Sequence, residues 1–246
     1  MFTFSIEKWQ AWAPGLHDED NWRHWARFPY CPAGRTSAAD LPGTSFLPPL
    51  QRRRLSPLAR MVFDCAWPLA DGLDPMPIVF ASRHGETNRN FAQLQTLAAG
   101  EPLSPTAFGL SVHNAIVGQW SIIRKETAEG VALAGEADML EHAFIEACAL
   151  LRADSPRVLV VAAEERPPAD YAHWITDVPF SYAAAFRVGN APQWRVEPDA
   201  TPAAAAVDDE PDWPHPLNLL RHLINETPAW RHDRAARRWT WTRHRA

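Results

Sequence analysis

The side chains that most often carry nucleophilic or metal chemistry, cysteine and histidine, are scattered along this 246-residue chain. The chain has ten histidines and three cysteines, which are Cys31, Cys65 and Cys148. An odd number of cysteines at long separations predicts no disulfide framework, and no C-x-x-C pair offers a zinc site. No pair of histidines has the H-E-x-x-H spacing of a zinc-binding helix. We therefore predict neither a structural metal nor a bound cofactor.

One short motif, RHGETNRN at 83–90, follows an apolar run that predicts a buried strand. The motif resembles the signature of the histidine phosphatase and phosphoglycerate mutase superfamily. This resemblance implies that His84 takes the phosphoryl group while Arg83 neutralises its oxygens. Such a site needs a second histidine and arginine, but four later histidines carry no recognisable second signature: His142, His173, His215 and His222. The alternative is a loop in which Gly85 permits the turn and Arg83 pairs locally with Glu86.

Longer parts of the chain resemble the β-ketoacyl synthases. The matching segments are SPTAFGLSVHNAIVGQWSI at 104–122, EHAFIEACALLRADSPRVLVVAAEE at 141–165 and RRRLSPLARM at 52–61. They are similar to the loop and helix before the nucleophile, the helix and strand after it, and an early helix of those enzymes. Asn114, Gly118, Ile122 and His142 fall at the expected places. The resemblance implies an α/β, thiolase-like layered fold, of which only the amino-terminal half is present.

In the register of this resemblance, the nucleophilic cysteine of the synthases falls on Ala137. Gly135 and Glu136 stand where the synthases have threonine and alanine. An alanine methyl group cannot form a thioester. Cys148 falls within a predicted helix and is expected to be a small buried apolar residue. The residues after 190 are too few to supply the second half of a synthase, so the resemblance predicts a chain with no catalytic residue of its own.

The resemblance implies a subunit of the chain-length-factor type, as found in type II polyketide and aryl-polyene pathways. Its partner would be a full-length β-ketoacyl synthase, in a heterodimer that elongates chains on acyl carrier protein while this chain shapes the acyl tunnel. Residues 131–140 are the candidate interface strand. The candidate tunnel and interface residues are Ser104, Phe108, Leu110, His113, Asn114 and Trp120, each of which can instead be an ordinary core residue. A homodimeric module that binds an acyl chain without a catalytic partner is a further alternative.

The apolar periodicity predicts the elements that position these side chains. Helices are predicted over 57–70, behind an N-cap at Ser56, and over 90–101, 110–125 and 138–154. Strands are predicted at 77–82 and 157–165, followed by a strand pair at 182–189 and 193–199. Strands that alternate with helices predict a mixed sheet with helices on its faces. Gly118, inside a predicted helix, costs about 1 kcal/mol against alanine, which predicts close packing against another backbone.

We predict three parts of the chain: a ketosynthase-like domain over 1–196, a Pro/Ala/acidic linker or loop over 197–215, and a carboxy-terminal helix and basic edge strand over 216–246. The arginines of the last part could receive an acidic carrier protein or simply be solvated. A net charge of −5 gives no drive toward nucleic acid. No apolar run approaches the roughly 20 residues of a membrane span, and the amino terminus lacks signal-peptide features, which predicts a cytoplasmic protein.

Overall fold

The computed structural model describes residues 1–32, 42–136, 138–151, 155–199, 213–234 and 237–244. The strands are β1 (Phe2–Trp12), β2 (Ile78–Ala81), β3 (Gly130–Leu133), β4 (Arg157–Glu164), β5 (Tyr182–Asp199), β6 (Ala229–Arg234) and β7 (Arg237–Arg243). The helices are α1 (Glu19–Arg27), α2 (Pro49–Arg52), α3 (Pro57–Ala70), α4 (Thr87–Ala98), α5 (Pro105–Gly109), α6 (Ala115–Arg124), α7 (Met139–Leu151) and α8 (His215–Ile224).

The described strands form one mixed sheet in which neighbours follow the order β3-β2-β4-β5-β7-β6. β2 is parallel to both β3 and β4, whereas β5 is antiparallel to β4 and β7. β1 pairs antiparallel with the other side of β5, from Phe2 opposite Val196 to Trp12 opposite Ala183. The predicted α/β fold with a mixed sheet is confirmed.

Helices cover both faces of this sheet. α3 and α6 pack on one face, where Phe63 and Trp120 belong to the same buried cluster as Phe80 of β2. α7 packs on the opposite face together with α1 and α8, around Phe144 and Trp241. Because β2 and β4 lie in the middle of the sheet and are buried on both faces, they read in the sequence as unbroken apolar runs.

Several predicted elements are confirmed at close to their predicted bounds. The helix over 57–70 is α3, where the Ser56 hydroxyl accepts a hydrogen bond from the Ala59 N–H at 2.9 Å and Pro57 occupies the first helical position. The strands predicted at 77–82 and 157–165 are β2 and β4. The helix predicted over 138–154 is α7, and the one over 90–101 is α4, shifted toward the amino terminus.

Other predictions were wrong in detail. The segments 182–189 and 193–199 are not a strand pair, because both belong to the single strand β5, which β1 follows along most of its length. RRWTWTR is not an edge strand, since β7 lies between β5 and β6. The helix predicted over 110–125 begins at Ala115, after the short helix α5 and a turn.

Among the described residues, no other backbone packs against Gly118. A Cβ atom at this position would meet no atom within 4 Å outside its own helix. The predicted close packing is therefore wrong within the chain itself. The side of α6 that carries Gly118 is open to solvent.

The carboxy-terminal segment joins the same sheet as the rest of the chain. Residues 197–199 lie within β5, and Trp213 and His215 are buried, while residues 200–212 lie outside the described residues. Because most of the predicted linker, 197–215, lies outside the described residues, the division of the chain into three parts stays a prediction. Among the described residues, no helix combines the length and the apolar character that a membrane crossing requires.

Candidate functional site

A cleft of about 370 Å³ opens where the carboxyl ends of β2 and β4 meet the start of α7. This is the edge of an open α/β sheet at which ligands ordinarily bind. The loop after β2 contributes Arg83, β4 contributes its last residue, Glu164, and the segment before β5 contributes Asp177. Glu136, which precedes α7, and His215, the first residue of α8, also line the cleft.

The Glu164 carboxylate organises the loop that follows β2. It accepts hydrogen bonds from the Ser82 hydroxyl at 3.0 Å, from the Arg83 N–H and from the His84 N–H at 3.3 Å. Gly85 closes the turn with a φ of +53°, and its N–H donates to the Ser82 hydroxyl oxygen at 2.8 Å. Burial raises the pKa of Glu164 to about 7, although these three hydrogen bonds oppose that shift.

Arg83 and His84 share one carboxylate. An Arg83 guanidinium nitrogen lies 3.1 Å from one oxygen of Asp177, and His84 Nε2 lies 3.0 Å from the other. Arg83 does not make the local pair with Glu86 that the loop interpretation predicted. Glu86 instead accepts a hydrogen bond from the Ser56 hydroxyl at 2.6 Å. The turn at Gly85, which the same interpretation predicted, is present.

The start of α7 lies beside the cleft. Ala137, at which the resemblance places the nucleophile, lies outside the described residues, but its neighbours are described. Glu136 and Gly135 are exposed. Asp138 is buried and accepts hydrogen bonds from Trp239 Nε1 at 3.2 Å and from the Arg237 guanidinium at 2.8 Å. Strand β7 therefore holds the residue that immediately precedes α7.

Part of segment 104–122, which contains the predicted tunnel residues, lies against the loop after β2. The His113 Nε2–H donates to the Ser82 carbonyl at 2.8 Å, and the His113 ring covers Gly85. The hydroxyl of Ser104 caps α5 by accepting from the Ala107 N–H at 3.3 Å. Phe108 is 60 % exposed. Leu110 is half-buried at the carboxyl end of α5.

Asn114 and Trp120 line a second cavity, of about 270 Å³, between α6 and the start of β3. Trp120 is buried in the core of this chain, where its ring packs edge-on against Phe63 and Trp67. Its indole therefore does not reach the surface. Asn114 precedes α6 and is exposed.

The candidate interface strand is shorter than predicted. Of residues 131–140, 131–133 belong to β3, whereas 139 and 140 already lie in α7. Within the described sheet, β3 has a strand neighbour on one side only. The carbonyl oxygens of Glu129 and Leu133 accept hydrogen bonds from the N–H groups of Ile78 and Ser82. Because the backbone polar groups of a strand alternate in direction, those of Gly130 and Ala132 point away from β2.

Sequence reasoning did not single out Glu164, Asp177 or His215 as site residues. A carboxylate directly after the apolar run of β4 was a usable signal for Glu164, because side chains that follow parallel strands meet at one edge of a sheet. Asp177 lies in an irregular segment without periodicity and offered no comparable signal.

A family model described as the β-ketoacyl synthase N-terminal domain matches residues 22–242. No curated protein matched the chain. Among solved structures, a chain from the complex of the ketosynthase ApeO with its chain length factor ApeC from Xenorhabdus doucetiae is similar, with a TM-score of 0.85 and 29 % identity. That alignment covers 99 % of this chain and 100 % of the other.

Two further structures are similar at the level of the fold. The ishigamide ketosynthase/chain length factor aligns with a TM-score of 0.62 and 18 % identity over 80 % of this chain and 67 % of the other. A β-ketoacyl synthase from Burkholderia phymatum STM815 aligns with a TM-score of 0.56 and 13 % identity over 81 % of this chain and 65 % of the other. Because the family model spans most of its length, this chain belongs to the β-ketoacyl synthase N-terminal domain family.

Proposed function

We propose that this chain is a non-catalytic partner subunit of the chain-length-factor type, which forms a heterodimer with a full-length β-ketoacyl synthase and shapes its acyl tunnel. The open edge of β3 is the observation that most supports the proposal. Its residues, from Gly130 to Leu133, are apolar and only partly buried. An unprotected apolar edge strand is a ready template for pairing with a strand of another chain.

The surface beside this edge is also suited to a partner. On α6, one exposed stripe contains Asn114, Gly118 and Ile122, and Ile122 is 77 % exposed. An exposed isoleucine beside an open apolar strand is typical of protein–protein contacts. Gly118, which leaves an open space in this chain, would allow a partner backbone to approach α6 closely.

The lack of a nucleophile supports a role without catalysis. Residue 137 is alanine in the sequence, and an alanine side chain cannot carry an acyl group as a thioester. Of the cysteines in the described residues, Cys65 and Cys148 are buried and Cys31 is exposed near the carboxyl end of α1. The similar chain from Xenorhabdus doucetiae comes from a complex between a ketosynthase and its chain length factor, and it aligns over nearly the full length of both chains.

In this proposal the chain acts on product length through steric contacts. Phe108 is exposed in α5, within the segment that His113 anchors to the loop after β2. In this proposal, its ring enters the partner's acyl tunnel. Acyl carrier protein reaches the complex through the ketosynthase, and we expect the complex to work in the cytoplasm. Two of the carboxy-terminal arginines, Arg237 and Arg238, already face Asp138 and Asp233, which makes them weak candidates for binding the carrier protein.

The phosphatase hypothesis receives no support from the site. Asp177 occupies the position between Arg83 and His84 in which a phosphate would be bound, and Glu164 adds a second carboxyl group beneath the loop. Two acidic groups oppose the binding of a phosphate dianion. The homodimeric acyl-binding module remains the second candidate, because the open edge of β3 would equally allow two copies to pair.

The deciding experiment is co-expression of this chain with a ketosynthase from its own genomic neighbourhood, followed by size-exclusion chromatography with mass determination. We expect a stable one-to-one complex, and we expect the ketosynthase to make products of altered length when this chain is absent. A symmetrical dimer of this chain that ignores the ketosynthase would favour the acyl-binding module. A ketosynthase whose products are the same length with and without this chain would overturn the proposal.

A further inference from the structure

Three side chains from distant parts of the sequence converge under the carboxy-terminal segment. Glu141 lies on α7, His215 is the first residue of α8, and His232 lies on β6. Glu141 Oε1 is 2.6 Å from His215 Nε2 and 2.9 Å from His232 Nδ1. The three atoms that could act as ligands all lie within 4.8 Å of one another.

All three side chains of the cluster are buried, so the free-energy cost of removing the charged carboxylate from water must be offset by its neighbours. Glu141 is 0 % exposed, and both histidines are less than 8 % exposed. Burying an ionised carboxylate is costly unless cations or hydrogen-bond donors surround it. The two histidines lie within hydrogen-bond distance of the Glu141 carboxyl group and offset part of the cost of burying it. An ionised carboxylate and two imidazoles are ligands for a divalent metal.

The surroundings of the carboxylate leave a place for a further bond. The Trp241 Nε1–H donates to Glu141 Oε1 at 3.0 Å, the same oxygen that both histidines contact. Among the described residues, the second oxygen, Oε2, is fully buried and has no hydrogen-bond partner. A buried, unpartnered carboxylate oxygen is unusual in a folded protein, and a bound cation is one of its ordinary explanations.

We propose that Glu141, His215 and His232 form a zinc site that fastens α8 and the β6–β7 hairpin to α7. Two imidazole nitrogens and one carboxylate oxygen are a donor set that zinc accepts, whereas Ca²⁺ and Mg²⁺ prefer oxygen ligands alone. His215 also lines the cleft beside α7, which provides a path for the ion and a position for a water as fourth ligand. The site has no sequence motif, because its ligands are 74 and 91 residues apart from Glu141.

Zinc binding would require small movements of the ligands. Tetrahedral zinc, with bonds of about 2.0–2.1 Å, separates its ligand atoms by roughly 3.3 Å, so both contacts to Glu141 must lengthen. The imidazole rings now stack with centroids 3.3 Å apart and would have to splay. The nitrogen of each imidazole that faces the carboxylate would have to be unprotonated, so its proton moves to the other ring nitrogen or, from a doubly protonated ring, to solvent. Without zinc, both histidines keep the contacts to Glu141 Oε1 that the structure shows.

The test uses the full chain, alone or in its complex, after treatment with a chelator. We expect about one zinc per chain after incubation with zinc and gel filtration, measured by elemental analysis. Cobalt(II) should give the visible absorption of a tetrahedral site. The melting temperature should rise by roughly 5–10 °C at a zinc concentration about a hundredfold above the dissociation constant.

Variants locate the ion. In His232→Gln, zinc binding should fall at least tenfold, while His142→Gln should bind zinc like the wild type. His142 is the matched control because it lies one residue after Glu141 on α7 but is exposed. Circular dichroism checks that both variants fold, and the wild-type measurements decide the question if His232→Gln does not. Failure of the stripped wild type to take up zinc, or unchanged zinc binding by a folded His232→Gln, would overturn the proposal.

Discussion

The Ser82 hydroxyl donates a hydrogen bond to the Glu164 carboxylate over 3.0 Å, which joins the ends of the parallel strands β2 and β4. Glu164 is almost fully buried beside the cleft. The contact therefore couples the geometry of the loop that carries Arg83 and His84 to the protonation state of a single carboxyl group. Since burial raises the pKa of Glu164 to about 7, that state changes within the physiological pH range.

Glu164→Gln should change how the stability of the chain depends on pH. A carboxyl group whose pKa is raised on folding, here from 4.5 to about 7, stabilises the folded state fully below pH 4.5. That contribution is lost as the pH rises through about 7, and it amounts to at most about 3 kcal/mol. Chemical denaturation at pH 5 and pH 8 should show a smaller loss of unfolding free energy for Glu164→Gln than for the wild type.

The exposed Glu101 supplies the control for this comparison. Glu101→Gln should lose as much unfolding free energy between the two pH values as the wild type does. Equal losses in all three proteins would mean that Glu164 is ionised throughout, held so by its three hydrogen bonds.

Gly85→Ala should destabilise the chain more than a comparable glycine replacement elsewhere. Gly85 has a φ of +53°, and a Cβ atom there would lie 2.9 Å from His113 Cδ2. Gly100 has a φ of +74° but no atom within 4 Å of such a Cβ. Gly100→Ala should cost roughly 1–2 kcal/mol from backbone conformation alone. Gly85→Ala should cost about 1 kcal/mol more, because it must also displace His113 from the Ser82 carbonyl.

Thermal and urea unfolding of the two glycine variants would measure these free energies. Equal destabilisation would show that His113 moves aside without cost, and its role as an anchor of the 104–114 segment would then be lost.

The sequence predicted best those elements whose signals are local. Helix α3 follows from the Ser56 cap, Pro57 and an apolar period, and strands β2 and β4 follow from unbroken apolar runs. Strand β1 was missed because its sequence, FTFSIEKWQAW, carries Glu7 and Lys8 at its centre and pairs with residues about 180 positions later. Its strand character depends on tertiary pairing, which no local pattern shows.

In the candidate site, too, the contacts that the sequence did not predict join residues far apart in the chain. The apolar pattern around His113 could not predict its hydrogen bond to the Ser82 carbonyl, because the two residues are 31 positions apart in the sequence. The cluster of Glu141 with His215 and His232 requires α7, α8 and β6 to be assembled first. Spacing rules for metal sites detect ligands that share one element, so they cannot reveal an arrangement of this kind.

Gly118→Ala should stabilise the isolated chain and weaken its complex. Gly118 lies inside α6, is exposed and has no atom within 4 Å of an added Cβ, so alanine should raise the unfolding free energy by roughly 1 kcal/mol. If a ketosynthase backbone approaches α6 here, the added methyl group should reduce its affinity. Thermal melting of the chain and titration calorimetry with the ketosynthase would measure the two effects. A stabilised chain with unchanged affinity would place Gly118 outside the interface.

Ile122→Lys should weaken the complex without affecting the isolated chain. Because Ile122 is 77 % exposed, its replacement should change the unfolding free energy by less than about 0.5 kcal/mol. Burial of an isoleucine at an interface contributes roughly 1.5–3 kcal/mol, so affinity for the ketosynthase should fall at least tenfold. Phe28→Lys is the matched control, because Phe28 is 66 % exposed at the end of α1, which packs on the other face of the sheet. Binding measurements in which both variants behave like the wild type would contradict an interface formed by α6 and β3.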